Sequence, residues 1–175
     1  MKKIVLILLL LTAGLANAQF GIKGGANFSN IDGKMGNMEL DTKISYHIGA
    51  FYEVTIGSSF SFQPEVIFSV QGADIDSSHA LDEIDLKYIN IPMLMKIYLT
   101  PRLSIEAGPQ FSYLTSHNLK NYNTEDFDFA LAGGLSVYLT NSFFIQGRYV
   151  HGLSEFSKDA EVKNKNIQLS LGLHF

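Results

Sequence analysis

His151, Ser154 and Glu155 form a local group whose residue types would suit a hydrolase. A serine nucleophile needs a histidine base within hydrogen-bond reach, and the base needs a third group to orient it. The spacing of these three residues matches no known catalytic motif, and a turn leaving a strand through Gly152 explains them better. We therefore predict no catalytic residues and no enzyme, and we keep a membrane-embedded lipid-modifying enzyme as an alternative.

A second possible chemistry is metal binding by the acidic segment 74–85. Its carboxylates are spaced somewhat like those of a calcium loop, but His79 stands where that loop needs glycine, and Asp85 replaces its bidentate glutamate. His79, His117 and His151 lie on or beside three separate predicted loops, so the sequence gives them no common geometry. We therefore expect no metal site and no cofactor, and we interpret the segment as a solvated acidic loop.

The first 18 residues have the features of a cleavable export signal. Lys2 and Lys3 precede the apolar run 4–11, and the small residues 16–18 form an A-x-A cleavage pattern. This run is far shorter than the roughly 20 residues of a membrane-spanning helix. We therefore expect residues 1–18 to be a signal peptide and residues 19–175 to form one domain.

The charge and cysteine counts exclude some classes of partner and covalent linkage. The chain has 13 basic and 17 acidic residues, and removing Lys2 and Lys3 with the signal leaves 11 basic against 17 acidic. We expect no nucleic-acid partner for such a surface. The sequence contains no cysteine, so disulfides and lipid attachment through an N-terminal cysteine are excluded.

Eight segments of alternating apolar and polar residues follow, which is the pattern of strands with two different faces. Short turns alternate with long loops, as expected for an all-β, antiparallel up-and-down transmembrane β-barrel, and eight strands allow the sheet to close. We expect Pro64 and Pro92, which lie inside predicted strands, to mark bulges. The predicted strands are 20–28, 45–56, 60–71, 86–99, 103–114, 126–139, 143–151 and 166–175. The predicted turns are 57–59, 100–102 and 140–142, and the predicted loops are 29–44, 72–85, 115–125 and 152–165.

The alternation alone does not say which face is outside, so a soluble lipocalin-like barrel is the competing interpretation. One face carries most of the large apolar side chains, and the interior of an eight-stranded barrel is too narrow to hold them. Its aromatic residues fall at the two ends of the strands with aliphatic residues between, which matches the two interfaces of a bilayer. We therefore predict that this face contacts lipid in the outer membrane. Its predicted members include Phe20, Ile22, Tyr46, Ile48, Phe68, Val70, Ile105, Leu135, Tyr149 and Leu171.

The opposite face is predicted to be small or polar, with three charges of each sign. Unpaired charges inside a narrow barrel are costly, so we expect a paired charge network. A narrow channel or a proton path through the carboxylates is the alternative, but eight strands leave room for little besides side chains. The predicted network is Lys23, Glu53, Glu65, Lys96, Glu106 and Arg148.

Six short segments follow one another in a recognisable order: FGIKGGANFS at 20–29, QPEVIF at 63–68, QGA at 71–73, YINIP at 88–92, EAGP at 106–109 and RYVHGL at 148–153. They resemble segments of the PorT family of outer-membrane β-barrel proteins from Bacteroidetes. The resemblance lies in the order and spacing of short segments along the whole mature chain. It implies an eight-stranded barrel in the outer membrane of a Gram-negative cell, and it leaves open a role in type IX-like protein secretion.

From these features we expect a small, monomeric outer-membrane barrel with a structural or interaction role through its extracellular loops. The expected partners are outer-membrane lipids and lipopolysaccharide, whose phosphates divalent ions would bridge to the acidic loop. The alternating last strand ends on Phe175, which resembles the signal that the barrel-assembly machinery recognises. A lipid-facing strand end would show the same pattern.

Overall fold

The computed structural model describes residues 18–32, 40–75, 83–117, 127–153 and 163–175. Its strands are β1 (Ala18–Asp32), β2 (Leu40–Ile56), β3 (Phe60–Ile75), β4 (Glu83–Thr100), β5 (Leu103–His117), β6 (Phe127–Tyr138), β7 (Phe143–Gly152) and β8 (Lys163–His174). They form a closed barrel in which consecutive strands pair antiparallel and β8 pairs with β1. This confirms the predicted fold class. No helix among the described residues is long and apolar enough to cross a membrane.

The two ends of the barrel differ in how the strands are connected. The three short turns and the C-terminus lie at one end, which we call the turn end; the four longer connections leave the opposite end, the loop end. At the turn end, the Phe175 N–H donates to the Phe20 carbonyl at 2.9 Å, and the two rings stack with centroids 6.1 Å apart. The pairing between β1 and β8 therefore continues to the end of β8.

The strands extend further toward the loop end than the sequence pattern predicts. β1 continues to Asp32, β3 to Ile75 and β5 to His117, while β2 begins at Leu40 and β8 at Lys163. The predicted loop boundaries were therefore wrong by several residues. An adjacent strand satisfies backbone groups whatever the side chain, so pairing continues after the apolar alternation has ended. Of the predicted signal peptide, only the last residue, Ala18, is among the described residues, and it begins β1.

The prediction that Pro64 and Pro92 mark bulges was wrong. The β2–β3 register is the same on both sides of Pro64, and the β3–β4 register is the same on both sides of Pro92. A proline removes one ladder donor, but it does not insert the extra residue that defines a bulge. The register shifts lie elsewhere, between Thr42 and His47 and on β4 beside Tyr88 and Thr100.

Burial alternates along the strands as expected for a barrel with an apolar outside. Ile48 is 61% exposed and Leu135 50%, whereas the neighbouring inward side chains are buried. Val70 is an exception, because it was assigned to the outward set but is buried. Exposed aromatic residues lie near both ends: Phe20, Phe60 and Phe175 at the turn end, and Tyr46, Tyr113, Phe127 and Tyr149 at the loop end.

The inward face is less polar than predicted. It also holds large, buried apolar side chains that were not predicted to lie in the interior. Charged and amide side chains occupy the middle of the barrel, and rings gather toward the turn end. The additional apolar residues include Phe51, Ile67, Leu86, Leu94, Leu114, Phe144 and Val150.

Candidate functional site

Arg148 is the centre of a buried ion cluster halfway along the barrel. Its Nη1 and Nη2 donate to the two carboxylate oxygens of Glu65 at 2.7 and 2.8 Å. Its Nη2 and Nε also donate to Glu106 Oε1 at 2.6 and 3.0 Å. Lys23 Nζ lies 2.8 Å from Glu65 Oε2 and donates to Gln146 at 2.9 Å. The two carboxylates are thus held by two cations, and all four charged side chains are buried.

A second cluster, nearer the turn end, is built around Lys96. Its ammonium donates to Gln63 Oε1 at 2.6 Å, to Glu53 Oε2 at 3.1 Å and to Tyr138 Oη at 3.1 Å. The Tyr98 hydroxyl donates to the other oxygen of Glu53. Three donors on an ammonium are therefore matched by three acceptors, as a buried lysine requires.

Gln63 joins the two clusters. Its carbonyl accepts from Lys96, while its Nε2 donates to Glu65 Oε1 at 2.6 Å. The structure thus brings together all six residues of the predicted charge network, in one set of contacts that crosses the barrel. A hydrated ion would have to break several of these charge-assisted bonds to pass, and each broken pair would leave a buried charge without a partner.

Aromatic side chains fill the interior between the Lys96 cluster and the turn end. The rings of Phe51 and Phe144 lie edge to face, 5.6 Å apart, and His174 packs against both at 4.8 and 5.2 Å. Each phenylalanine lies over the glycine that it pairs with on the next strand, Gly21 or Gly172. A Cβ at either glycine would lie 2.1 Å from the ring. The rings therefore cover the charge network from the turn end.

A serine, a histidine and an asparagine form a hydrogen-bonded series nearer the loop end. Asn27 Nδ2 donates to the carbonyls of Tyr46 and Val70, so its Oδ1 is free to accept. That oxygen lies 2.8 Å from His47 Nδ1, which must then carry the proton. His47 Nε2, 2.7 Å from Ser170 Oγ, is therefore the acceptor of the serine hydroxyl.

This series has the hydrogen-bond order of a catalytic triad, but it lacks access. A substrate carbonyl needs room beside the nucleophile, and oxyanion donors about 3 Å away. Ser170 is 1% exposed and His47 2%, and both pair with Gly25 on β1. The hydrogen bond between His47 and Ser170 thus crosses β1 at Gly25, which has no side chain. No space is left beside Ser170 for an ester substrate. The arrangement joins β1, β2 and β8 and provides no route for hydrolysis.

No sequence pattern marks this hydrogen-bonded series. His47 and Ser170 are 123 residues apart, and only closure of the barrel puts them on either side of one strand. Of the predicted group His151, Ser154 and Glu155, only His151 is among the described residues. His151 faces outward and stacks on Tyr149, with ring centroids 6.2 Å apart, while Ser154 and Glu155 lie outside the described residues.

The candidate calcium segment is only partly described. Its ends belong to β3 and β4, and residues 76–82, which include His79, lie outside the described part of the chain. His117 ends β5, whereas His151 belongs to β7. Among the described residues, no group of three or more histidine, aspartate or glutamate side chains is placed to hold a metal ion.

A small cavity lies inside the barrel toward the loop end. Its volume is about 10 Å³, which is room for about one water molecule. The buried polar atoms of its lining residues that lack a hydrogen-bond partner include Gln110 Oε1 and Asn166 Nδ2. The lining residues are Gln71, Tyr88, Gln110, Ser112, Asp128, Ala130, Val150, Gly152 and Asn166.

Comparison with known proteins gives a family and a set of similar structures. A family model described as an outer membrane protein beta-barrel domain matches residues 13–158. No curated protein matches the chain. The crystal structure of Ail, the attachment invasion locus protein of Yersinia pestis, is similar with a TM-score of 0.61 and 15% identity, covering 91% of this chain and 99% of that one.

Two further structures have the same fold. Neisserial surface protein A (NspA) gives a TM-score of 0.61 at 11% identity, covering 90% of this chain and 99% of that chain. OprG of Pseudomonas aeruginosa gives a TM-score of 0.55 at 11% identity, covering 90% and 96%. At these identities the likeness extends to the fold alone.

Proposed function

Because the chain belongs to the outer membrane protein beta-barrel domain family, we propose that it acts as a closed, non-enzymatic outer-membrane barrel. Its role is either structural or the binding of partners, and the surface that would bind them is the loop end. The observation that carries this proposal is the interior network, in which Arg148, Glu65 and Glu106 are bonded to one another across the barrel. An interior filled in this way supports neither conduction nor catalysis.

The charge of the long connections supports an interaction role at that end. Segments 33–39, 76–82, 118–126 and 154–162 together contain eight acidic and three basic residues. Acidic segments attract divalent cations, which also bind phosphate groups. We therefore propose outer-membrane lipids around the barrel and lipopolysaccharide at the loop end as its partners. The narrower resemblance to the PorT family, and with it a role in secretion, stays a prediction.

We expect the purified protein to give no conductance steps in a planar lipid bilayer, because the paired interior leaves no path for a hydrated ion. The measurement is single-channel recording of the wild-type protein beside Glu65→Gln and Leu135→Ala. The second variant is the control, since Leu135 faces outward. Steps in the wild type whose size changes in Glu65→Gln, but not in Leu135→Ala, would instead establish a narrow channel.

We propose that Phe175 is part of the signal read by the barrel-assembly machinery and that the protein assembles as a monomer. Phe175 is 74% exposed, and its backbone N–H completes the pairing with β1. A closed barrel needs no strand from a second chain.

Phe175→Ala is expected to lower the amount of folded protein in the outer membrane several-fold, while refolding of the purified chain in detergent is little changed. The amount of folded protein is measured by heat-modifiable migration of membrane fractions. Phe60→Ala is the matched control, because Phe60 is also an exposed aromatic residue at the turn end. Equal losses in the two variants would show that Phe175 acts only as a lipid-facing aromatic.

A further inference from the structure

We propose that the cavity toward the loop end binds a single water molecule, which accepts a hydrogen bond from Asn166 and donates one each to Gln110 and Asp128. Gln110 lies on β5, Asp128 on β6 and Asn166 on β8, and all three line the cavity. Because β7 separates β8 from β6, the water bonds strands that do not pair with each other. The inference goes beyond the proposed function, since it assigns a ligand to the interior and not to the loops.

The size of the cavity limits what can occupy it. Its volume of about 10 Å³ is close to the smallest space that holds one water molecule. Gln110, Ala130 and Gly152 stand in one row across β5, β6 and β7, since Gln110 pairs with Ala130 and Ala130 with Gly152. In this row, only a methyl group and a hydrogen atom stand beside the Gln110 amide. A sugar ring, a lipid headgroup or a hydrated ion is too large to enter.

Two side-chain amides contribute one acceptor and one donor to the cavity. Gln110 Nε2 donates to Ser112 Oγ at 3.3 Å, so its Oε1 is left to accept. Asn166 Oδ1 accepts from Ser29 Oγ at 3.4 Å, so its Nδ2 is left to donate. Both residues are buried, and these two atoms have no hydrogen-bond partner among the described residues. Leaving such atoms unpaired costs free energy that a bound water would recover.

The carboxylate of Asp128 is a second acceptor at the same cavity. Asp128 pairs directly with Ser112, the residue that holds the Gln110 amide. A carboxylate has about four lone-pair positions, so Asp128 can accept a bond from a water besides its other interactions. The cavity therefore combines one donor with two acceptors, one of which is charged.

A water molecule matches one donor and two acceptors. It accepts from Asn166 Nδ2 and donates its two hydrogens to Gln110 Oε1 and to Asp128, which gives about three hydrogen bonds, the usual number for a buried water. An ammonium ion only donates, so it would leave Asn166 Nδ2 unsatisfied. An anion would be repelled by the Asp128 carboxylate. A bare sodium ion suits both acceptors, but Asn166 Nδ2 would direct the positive end of its N–H dipole at the ion.

The water would hold together two strand ends from which long connections leave. Asp128 is the second residue of β6, and Asn166 is the fourth residue of β8. β7 lies between them, and its Val150 pairs with Asn166. The water adds a link across the interior at this level, so it fixes the start of β8 relative to the start of β6. The loop end of the interior is then closed by a bound water, as the turn end is closed by aromatic rings.

The test is a nuclear magnetic resonance measurement on the full mature protein in detergent micelles. Overhauser effects between water and the side-chain amide hydrogens of Asn166 and Gln110 are recorded in the laboratory frame and in the rotating frame. A water that stays bound for longer than the protein takes to tumble gives effects of opposite sign in the two frames. We expect this bound-water signature at both amides and none at Gln168, whose buried amide donates to Asn27 outside the cavity lining.

One substitution fills the cavity without removing its polar groups. Ala130→Val adds two carbon atoms to the wall, so the bound-water signature at Asn166 should disappear. Ala132→Val is the matched control, because Ala132 is buried on the same strand but does not line the cavity, and the signature should persist. Heat-modifiable migration confirms that each variant is folded. If Ala130→Val does not fold, the wild-type measurement alone decides.

Replacing choline chloride by sodium chloride at constant ionic strength distinguishes a water from a sodium ion. We expect no saturable shift of the Gln110 and Asn166 amide signals, and such a shift would overturn the inference in favour of a cation site. The inference is also overturned if neither amide of the wild type shows the bound-water signature, or if Ala130→Val and Ala132→Val both retain it. None of these results bears on conductance, so this inference and the proposed function can fail separately.

Discussion

Arg148→Met is expected to destabilise the barrel by about 3–5 kcal/mol, the usual effect of removing one partner from a buried ion pair. Methionine fills much of the same volume but donates no hydrogen bonds. The substitution removes two bonds to Glu65 and two to Glu106. Lys23 still neutralises Glu65, so Glu106 is the carboxylate left without a cation.

The change is measured by urea unfolding in lipid vesicles, followed by circular dichroism because the chain has no tryptophan. Lys87→Met is the control, because Lys87 is an exposed cation at an outward position of β4, and its loss should cost little. Adding Glu106→Gln to Arg148→Met should restore part of the lost stability. If Arg148→Met costs no more than Lys87→Met, the network does not hold the barrel together.

Parity along the strands predicts the six charges of the network, but not which of them touch, and it did not single out Lys43, which is also buried. Arg148 and Glu65 are 83 residues apart, on strands that are not neighbours. Their contact across the interior depends on the shear of the closed barrel, which fixes the height of each strand relative to the others. Alternation within a strand contains no information about shear. The six charged residues could therefore be named from the sequence, whereas their pairing required the fold.

The aromatic rings inside the barrel could not be predicted from the sequence either. Phe51 and Phe144 lie on the inward face, which was predicted to be small or polar. Each ring needs a glycine directly opposite on the next strand, and these are Gly21 and Gly172. A phenylalanine and a distant glycine give no joint signal until the register is known. The contact between His47 and Ser170 could not be predicted for the same reason.

The loop end was the least predictable part of the barrel. Its strands continue through polar residues whose pairing depends on the neighbouring backbone and not on hydropathy. The cavity there is lined by Ala130 and Gly152, which pair across β6 and β7, and this pairing is again a property of register. The fold class could be predicted from periodicity, since eight alternating segments with a sorted aromatic pattern admit few other arrangements.

Gly25→Ala is expected to cost more than about 3 kcal/mol, above the usual range for overpacking by a side chain. A Cβ at Gly25 would lie 1.9 Å from the carbonyl oxygen of Leu169 and 2.7 Å from Cα of Ser170. Both are backbone atoms of the paired strand, so no rotamer change relieves the overlap. The methyl group would also press into the place where the His47–Ser170 bond passes over β1.

Gly147→Ala is the matched control, because a Cβ there would meet nothing within 4 Å. Alanine suits a strand better than glycine, so this variant should be as stable as the wild type or slightly more stable. Both variants are compared by urea unfolding and by the fraction that shows heat-modifiable migration. Gly172→Ala provides a third comparison, since its overlap is with the Phe144 side chain and Phe144→Leu should relieve it. If Gly25→Ala folds as stably as Gly147→Ala, then β1 and β8 can move apart without a loss of stability. Their close approach at Gly25 would then not be needed to close the barrel.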